Sequence, residues 1–159
     1  MKKRFAILAA LCGFAIPVLA HGADRGEAKA TVAGKTVTID YGRPVLKGRD
    51  MLAQAEVGKP WRMGADAETT LKTDATLHFG GAAVAKGEYV LTATKVAEGK
   101  WQLNVRTKEK GKVADVPLEL GKALESVEML TIDLTGEKEK GTFTMSWGDV
   151  ALKAAFTAK

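Results

Sequence analysis

The chain is poor in the side chains that most enzymes use as nucleophiles. Its single cysteine is Cys12, near the amino terminus, and its only serines are Ser126 and Ser146. Neither serine lies in a Gly-x-Ser-x-Gly pattern, and both fall in or beside predicted strands. A Ser-His-acid site would have to use one of only two histidines, His21 or His78. The sequence therefore argues against nucleophilic catalysis and favours a non-catalytic protein.

The amino terminus has the pattern of a secretory signal. Residues 2–4 are cationic, residues 5–19 form an apolar run, and Val18-Leu19-Ala20 supplies a small-x-small cleavage pattern. The run is shorter than the roughly 20 apolar residues that a membrane span needs. We predict that residues 1–20 are a cleaved signal peptide, that the mature chain has no membrane span, and that it is periplasmic or extracellular.

Removal of the leader would remove the single cysteine and three of the five excess positive charges. The whole chain has a formal net charge of +5, and the three charges lost with residues 1–20 are all positive, which leaves +2. So small a charge, spread along the chain, excludes the clustered basic face that nucleic-acid binding needs. Without cysteine the mature chain forms no disulfide, so its core must supply stability unaided.

Ligands for metal ions are equally scarce. After cleavage, the amine and imidazole of His21 could bind Cu(II) together with His78, since both nitrogen types suit that ion. His78, however, stands between Leu77 and Phe79 in a predicted strand, where a solvent-facing histidine is the ordinary arrangement. We predict no metal site and no cofactor.

Apolar and polar residues alternate with the period of a β-strand through much of the chain. The alternation is clear at 35–41, 130–135 and 143–147, and glycine-rich turns such as Gly80-Gly81 and Gly148-Asp149 separate such segments. Strands that recur about every 8 to 12 residues are typical of a sandwich or barrel. We predict an all-β, single-domain antiparallel β-sandwich, either jelly-roll-like or Greek-key.

The predicted sandwich domain covers residues 35–159. Short helical turns are predicted at 51–57 and 118–127, although Gly121 weakens the second. Residues 21–34 lack periodicity, and we predict that they form a flexible lead-in.

Arginine is scarce but clustered. Only five arginines follow the leader, beside sixteen lysines, and three of them, Arg43, Arg49 and Arg62, fall within twenty residues. A guanidinium group is preferred over an ammonium where a carboxylate or phosphate is bound by two parallel hydrogen bonds. Residues 40–72 are therefore the segment in which we expect a function.

Several motifs in and beyond this segment stand in the order of one known family. They are Asp40-Tyr41-Gly42-Arg43-Pro44, Lys47-Gly48-Arg49, Trp61-Arg62-Met63-Gly64-Ala65-Asp66, Glu68-Thr69-Thr70, Ala85-Lys86-Gly87-Glu88-Tyr89, Trp101 to Asn104, and Trp147. The sequence resembles the family known as domain of unknown function 2911 over essentially the whole mature chain. The resemblance implies an exported bacterial β-sandwich and implies no reaction. This chain has Asp66 where that family usually has asparagine, Lys86 in place of a small residue, and Asn104 one position early.

We predict that the mature protein binds a small polar or anionic ligand, or a partner protein, through this segment. The candidate binding residues are Tyr41, Arg43, Lys47, Arg49, Trp61, Arg62, Asp66, Glu68, Thr69 and Thr70. The arginines would contact the ligand, Tyr41 and Trp61 would flank it, and Asp66 and Glu68 would orient the arginines.

Two alternatives stay open from the sequence. Asp66 and Glu68 could act as the acid and base of a carboxylate-dependent hydrolase. The protein could instead be a purely structural envelope domain in which the arginines pair with neighbouring carboxylates.

Overall fold

The computed structural model describes residues 24–159, and ten β-strands make up most of them. The strands are β1 (Asp24–Val32), β2 (Lys35–Arg43), β3 (Pro60–Trp61), β4 (Thr69–Thr73), β5 (Leu77–Phe79), β6 (Ala82–Val84), β7 (Gly87–Ala97), β8 (Lys100–Arg106), β9 (Lys112–Glu137) and β10 (Lys140–Ala158). Residues 24–159 contain no helix, and so none that could span a membrane. The predicted signal peptide and His21 lie outside the described residues.

The strands pair antiparallel in the order β1-β2-β4-β7-β8-β9-β10-β5-β6, and β3 pairs with β7. The first part of β9 pairs with β8 up to Leu118, and from Glu119 onward β9 pairs with β10. β9 therefore passes from a first layer, containing β1, β2, β4, β7 and β8, to a second layer with β10, β5 and β6. This arrangement confirms the all-β antiparallel prediction.

One hydrophobic core lies between the two layers. In β2 the side chains of Val37, Ile39 and Tyr41 are buried, while the residues between them are partly exposed, as the alternation predicts. In the second layer Phe143 and Met145 are buried in the same cluster. Because apolar and polar residues alternate along the strands, the apolar side chains of both layers point into the same core.

β9 and β10 bend together at a corner. Gly148 pairs with Val127, and Val150 pairs with Lys122, so residues 123–126 of β9 oppose the single residue Asp149. Gly148 has φ +62°, a left-handed conformation that glycine adopts without a steric penalty. The predicted turn at Gly148-Asp149 is instead a bulge inside β10, and bulges of this kind let a strand bend.

The prediction that residues 21–34 form a flexible lead-in is wrong for residues 24–34, the part of this segment that the structure describes. Residues 24–32 form β1, which pairs with β2 across a turn at Ala33-Gly34 in which both residues have positive φ. The buried residues of β1 are Ala28, Ala30 and Val32. Two of these are alanines, so the alternation gives only a weak hydrophobic signal.

Neither predicted helical segment forms a helix. Residues 118–127 lie in β9, where pairing with β8 and β10 outweighs their helical pattern. Residues 51–54 make consecutive turns, in which the Gln54 amide donates to Asp50 O at 3.3 Å and the Ala55 amide to Leu52 O at 3.3 Å.

Candidate functional site

The segment that begins with Tyr41 covers an open edge of β9. The Tyr41 hydroxyl donates to Ile132 O at 3.2 Å, and Arg43 Nε donates to Leu130 O at 3.4 Å. The amide of Leu130 donates in turn to Pro44 O at 2.9 Å. These backbone groups of β9 point away from β10 and would otherwise be unpaired in a strand edge. The Tyr-x-Arg-Pro motif therefore covers this edge of β9.

The same edge is covered by the residues that follow. Leu46 N donates to Glu128 O at 2.9 Å, and Lys47 N donates to the Glu128 carboxylate at 2.9 Å. Lys47 contributes its backbone amide to this contact, while its residue is exposed. Three of the predicted site residues thus cover the edge of β9, namely Tyr41, Arg43 and Lys47.

Replacing Arg43 with methionine is expected to lower the free energy of unfolding by about 1 to 2 kcal/mol, because Leu130 O loses its side-chain donor in a half-buried position. Lys47→Met is the matched control, since it removes one exposed positive charge and keeps the backbone amide bond. Urea denaturation of the two variants measures the difference. Equal stability of R43M and the wild type would show that the edge does not depend on Arg43.

Two of the sequence motifs contact each other backbone to backbone. A Cβ atom at Gly42 would overlap Ala65 O, and one at Gly64 would lie 3.0 Å from both Gly42 N and Gly42 O. The turn over 62–66 is held in place by the Thr69 hydroxyl, which donates to Met63 O at 2.7 Å. Both glycines are therefore required by close packing.

Arg62 closes this turn by donating to Asp66 O at 2.8 Å. Asp66 has φ +61°, a conformation in which aspartate and asparagine occur more often than other non-glycine residues. The left-handed backbone at residue 66 thus explains why this chain has aspartate where the resembling family usually has asparagine.

The three tryptophans form one cluster. Trp61 stacks on Trp147 with ring centroids 6.0 Å apart and an interplanar angle of 11°, and it meets Trp101 edge-on at 6.5 Å and 74°. Trp101 and Trp147 are buried, whereas Trp61 is half-buried. Trp61 is therefore packed against the core on at least one face.

The three clustered arginines donate to backbone carbonyl groups. Arg43 donates to Leu130 O, Arg49 to Leu46 O at 3.3 Å, and Arg62 to Asp66 O. None of the ion pairs within residues 24–159 includes them. No described contact joins one of these arginines to another, so their role toward a ligand stays a prediction.

Tyr41 and Thr69 are buried and hydrogen-bonded inside the protein. A ligand on the surface does not reach them in this structure. Glu68 and Thr70, by contrast, line a groove on the outer face of the first layer.

We call this feature the charged groove. It has a volume of about 450 Å³ and is lined by Thr38, Asp40, Glu68, Thr70, Leu71, Lys72, Glu88, Tyr89, Val90 and Lys108. The register of β2, β4 and β7 sets its side chains in rows across the sheet. One row is Thr38, Lys72 and Glu88, and the next is Asp40, Thr70 and Val90.

Ion pairs surround the charged groove. Asp40 pairs with Arg25, and Glu68 pairs with Lys110. Lys108 Nζ lies 2.8 Å from the Glu88 carboxylate, and this hydrogen bond holds the pKa of Glu88 below its ordinary value while it raises the pKa of Lys108. The Lys108–Glu88 pair therefore favours the charged form of both of its groups.

Lys72 is the cation with the loosest partner. Its Nζ lies 4.0 Å from Glu88, which is already bound by Lys108. Counting the groove together with the ion-pair partners Arg25 and Lys110, four cations meet three carboxylates. The lining itself has three carboxylates and two cations, so the positive balance comes from Arg25 and Lys110 at the rim.

Sequence reasoning missed Arg25, Lys72, Glu88, Lys108 and Lys110 as neighbours of Glu68 and Thr70. No local pattern marks them, because they come from different strands and from the turn between β8 and β9. They are brought together by the successive pairing of β1 with β2, β2 with β4, β4 with β7 and β7 with β8.

Asn104, the only asparagine of the chain, lies beside this groove on the same face. Its amide nitrogen donates to Thr92 Oγ1 at 3.0 Å and to Thr94 Oγ1 at 2.8 Å, and its oxygen accepts from Gln102 at 2.8 Å. Asn104 is buried, so its bonded amide joins β7 to β8. This fixes the side of the groove that borders β8.

Across residues 24–159 no three His, Cys, Asp or Glu side chains are arranged to hold a metal ion.

Comparison with protein families gives a match over almost the whole described part of the chain. The model of a family described as "Protein of unknown function (DUF2911)" matches residues 23–156. No curated protein and no solved structure matches the chain. The matched range includes β1, in agreement with the pairing of that strand inside the domain.

Proposed function

The chain belongs to the DUF2911 family of proteins of unknown function. We propose that it is a non-catalytic binding protein whose charged groove holds a small polar ligand with a negatively charged group. The loosely paired ammonium group of Lys72 carries this proposal. The export predicted from residues 1–20 places such binding in the periplasm or outside the cell.

Lys72 supports the proposal most directly. Because its 4.0 Å contact with Glu88 is long for an ion pair, an incoming carboxylate or phosphate can bind the ammonium group without breaking a strong internal bond. The hydroxyl group of Thr38 lies in the same row as Lys72 and that of Thr70 lies in the next row, and both can donate to further ligand oxygens. Together they offer a charged contact and neutral polar contacts within one groove.

The hydrolase alternative has less support. Glu68 is held in an ion pair with Lys110, and Asp66 lies in a turn closed by Arg62. Neither observation favours an acid–base pair of carboxylates. The structural alternative accounts for Arg43 and Arg62, which bond to the backbone, but it gives no reason for the loose cation in the charged groove.

Replacing Lys72 with glutamine is expected to weaken anion binding about tenfold or more, because a charge-assisted hydrogen bond is lost. The probes are succinate and inorganic phosphate, titrated at low ionic strength and followed by amide chemical shifts in β4 and β7. Lys29→Gln is the matched control, since Lys29 is an exposed lysine of β1 that does not line the groove.

Two results would contradict the proposal. One is the absence of shifts in β4 and β7 with either probe. The other is an equal loss of affinity in K72Q and K29Q, which would indicate attraction by net charge alone.

A further inference from the structure

A second concave surface lies at the corner where β9 and β10 bend. We call it the corner hollow. It has a volume of about 580 Å³ and is lined by Lys122, Ala123, Leu124, Glu125, Val127, Asp133, Leu134, Thr135, Thr144, Ser146, Ala151 and Lys153. The bulge at 123–126 stands at its rim, because four residues of β9 oppose only Asp149 there.

Leu124 on this bulge is fully exposed. A single exposed leucine is ordinary on a protein surface. Leu124, however, stands beside a hollow that also contains Val127, Leu134 and the buried Ala151. The exposed Leu124 side chain therefore lies at the edge of a hollow whose lining mixes apolar side chains with hydroxyl and charged groups.

Four charged residues surround this apolar centre. Lys122 and Lys153 are cationic, Glu125 and Asp133 are anionic, and none of the four takes part in an ion pair within residues 24–159. The charged groove differs, because each of its carboxylates is paired. The corner hollow therefore offers equal numbers of unpaired opposite charges around an exposed leucine.

The equal number of cations and carboxylates around the corner hollow indicates which kind of partner it can bind. A surface with no net charge does not attract nucleic acid or an anionic membrane. A two-fold interface brings a surface against a second copy of itself, so a surface with unpaired groups of both signs can pair its cations with the carboxylates of the other copy. The corner hollow has two unpaired groups of each sign around Leu124.

We propose that the corner hollow is a two-fold interface between two copies of this chain, in which Leu124 of each copy inserts into the hollow of the other. The unpaired lysines of one copy then face the unpaired carboxylates of its partner. This proposal is independent of ligand binding in the charged groove, and either can fail without the other.

Sedimentation equilibrium of the purified protein tests the interface. The wild type is expected to show a dimer whose fraction rises with concentration. Leu124→Asp should weaken dimerisation at least about 30-fold, as expected for a central contact of an interface. Val57→Asp is the matched control, since Val57 is 58% exposed and does not line the hollow.

Because Leu124 makes no core contact, L124D should melt within a few degrees of the wild type, which separates dissociation from unfolding. A wild type that stays monomeric at millimolar concentration overturns the proposal. So does a dimer that is unchanged by L124D.

Charge inversion gives a second test that depends on the partner being a copy. The pair K122E/K153E leaves only carboxylates around the hollow and should be monomeric, and E125K/D133K should be monomeric for the opposite reason. An equimolar mixture of the two variants should form a heterodimer. Failure of the mixture to associate overturns the proposed pairing, even if the wild type dimerises through another surface.

Discussion

Replacing Gly42 with alanine is expected to lower the free energy of unfolding by at least about 3 kcal/mol, or to prevent cooperative folding. The added Cβ would overlap Ala65 O and would lie 2.7 Å from Ala65 N. Both atoms belong to the backbone, so no side-chain rotation relieves the overlap. The turn that contains Ala65 is also fixed by the hydrogen bonds of Arg62 and Thr69.

Gly121→Ala is the control for this experiment. A Cβ at Gly121 meets no atom within 4 Å, so the substitution should change the stability by no more than about 0.5 kcal/mol. Urea denaturation followed by circular dichroism gives both values. If G42A were as stable as the wild type, this would contradict the close contact between Gly42 and the backbone of Ala65.

The second large effect is expected for Trp147→Ala, at about 3 to 5 kcal/mol of unfolding free energy. Trp147 is buried, it stacks on Trp61, and its Nε1 donates to Glu128 O at 3.3 Å. The substitution removes a large apolar side chain from between the second layer and the segment that precedes β4. It also removes one donor to the edge of β9.

The position of Trp147 predicts where this loss is felt. Hydrogen exchange should accelerate in residues 44–61, because Trp61 loses its stacking partner, and change much less in β5 and β6. Trp61→Ala is the companion variant, and its half-buried ring should give a smaller loss of stability. A uniform change of exchange across the chain would contradict a local role for the tryptophan cluster.

The strands with strong hydrophobic alternation were predictable from the sequence. β2 and the turn at Gly80-Gly81 are examples, because a side-chain period of two and a glycine pair are local properties. β1 was missed since its inward residues are mostly alanine. Residues 118–127 were misread because their pairing partners lie elsewhere in the chain.

The candidate segment was predictable as unusual, but not its geometry. Arginine clustering drew attention to Arg43 and Arg62, yet each guanidinium group donates to a backbone carbonyl. A sequence gives the donors of a hydrogen bond, and it does not show whether the acceptor is a ligand or an unpaired strand edge. That distinction depends on the tertiary structure, in which β9 pairs with β8 only up to Leu118 and so leaves one edge of its later residues without a neighbouring strand of that layer.

The sequence by itself determined the strand-rich class, the family and the absence of a disulfide from the part that follows Ala20, because each of these depends on residue types and on spacing along the chain. The tertiary structure alone decided that Lys72, Glu88 and Lys108 meet Glu68 in one groove, and that Leu124 stands at the edge of the corner hollow. These juxtapositions follow from strand register and from the bend of β9 and β10. Both are set by the packing of the whole core, and no local run of residues encodes them.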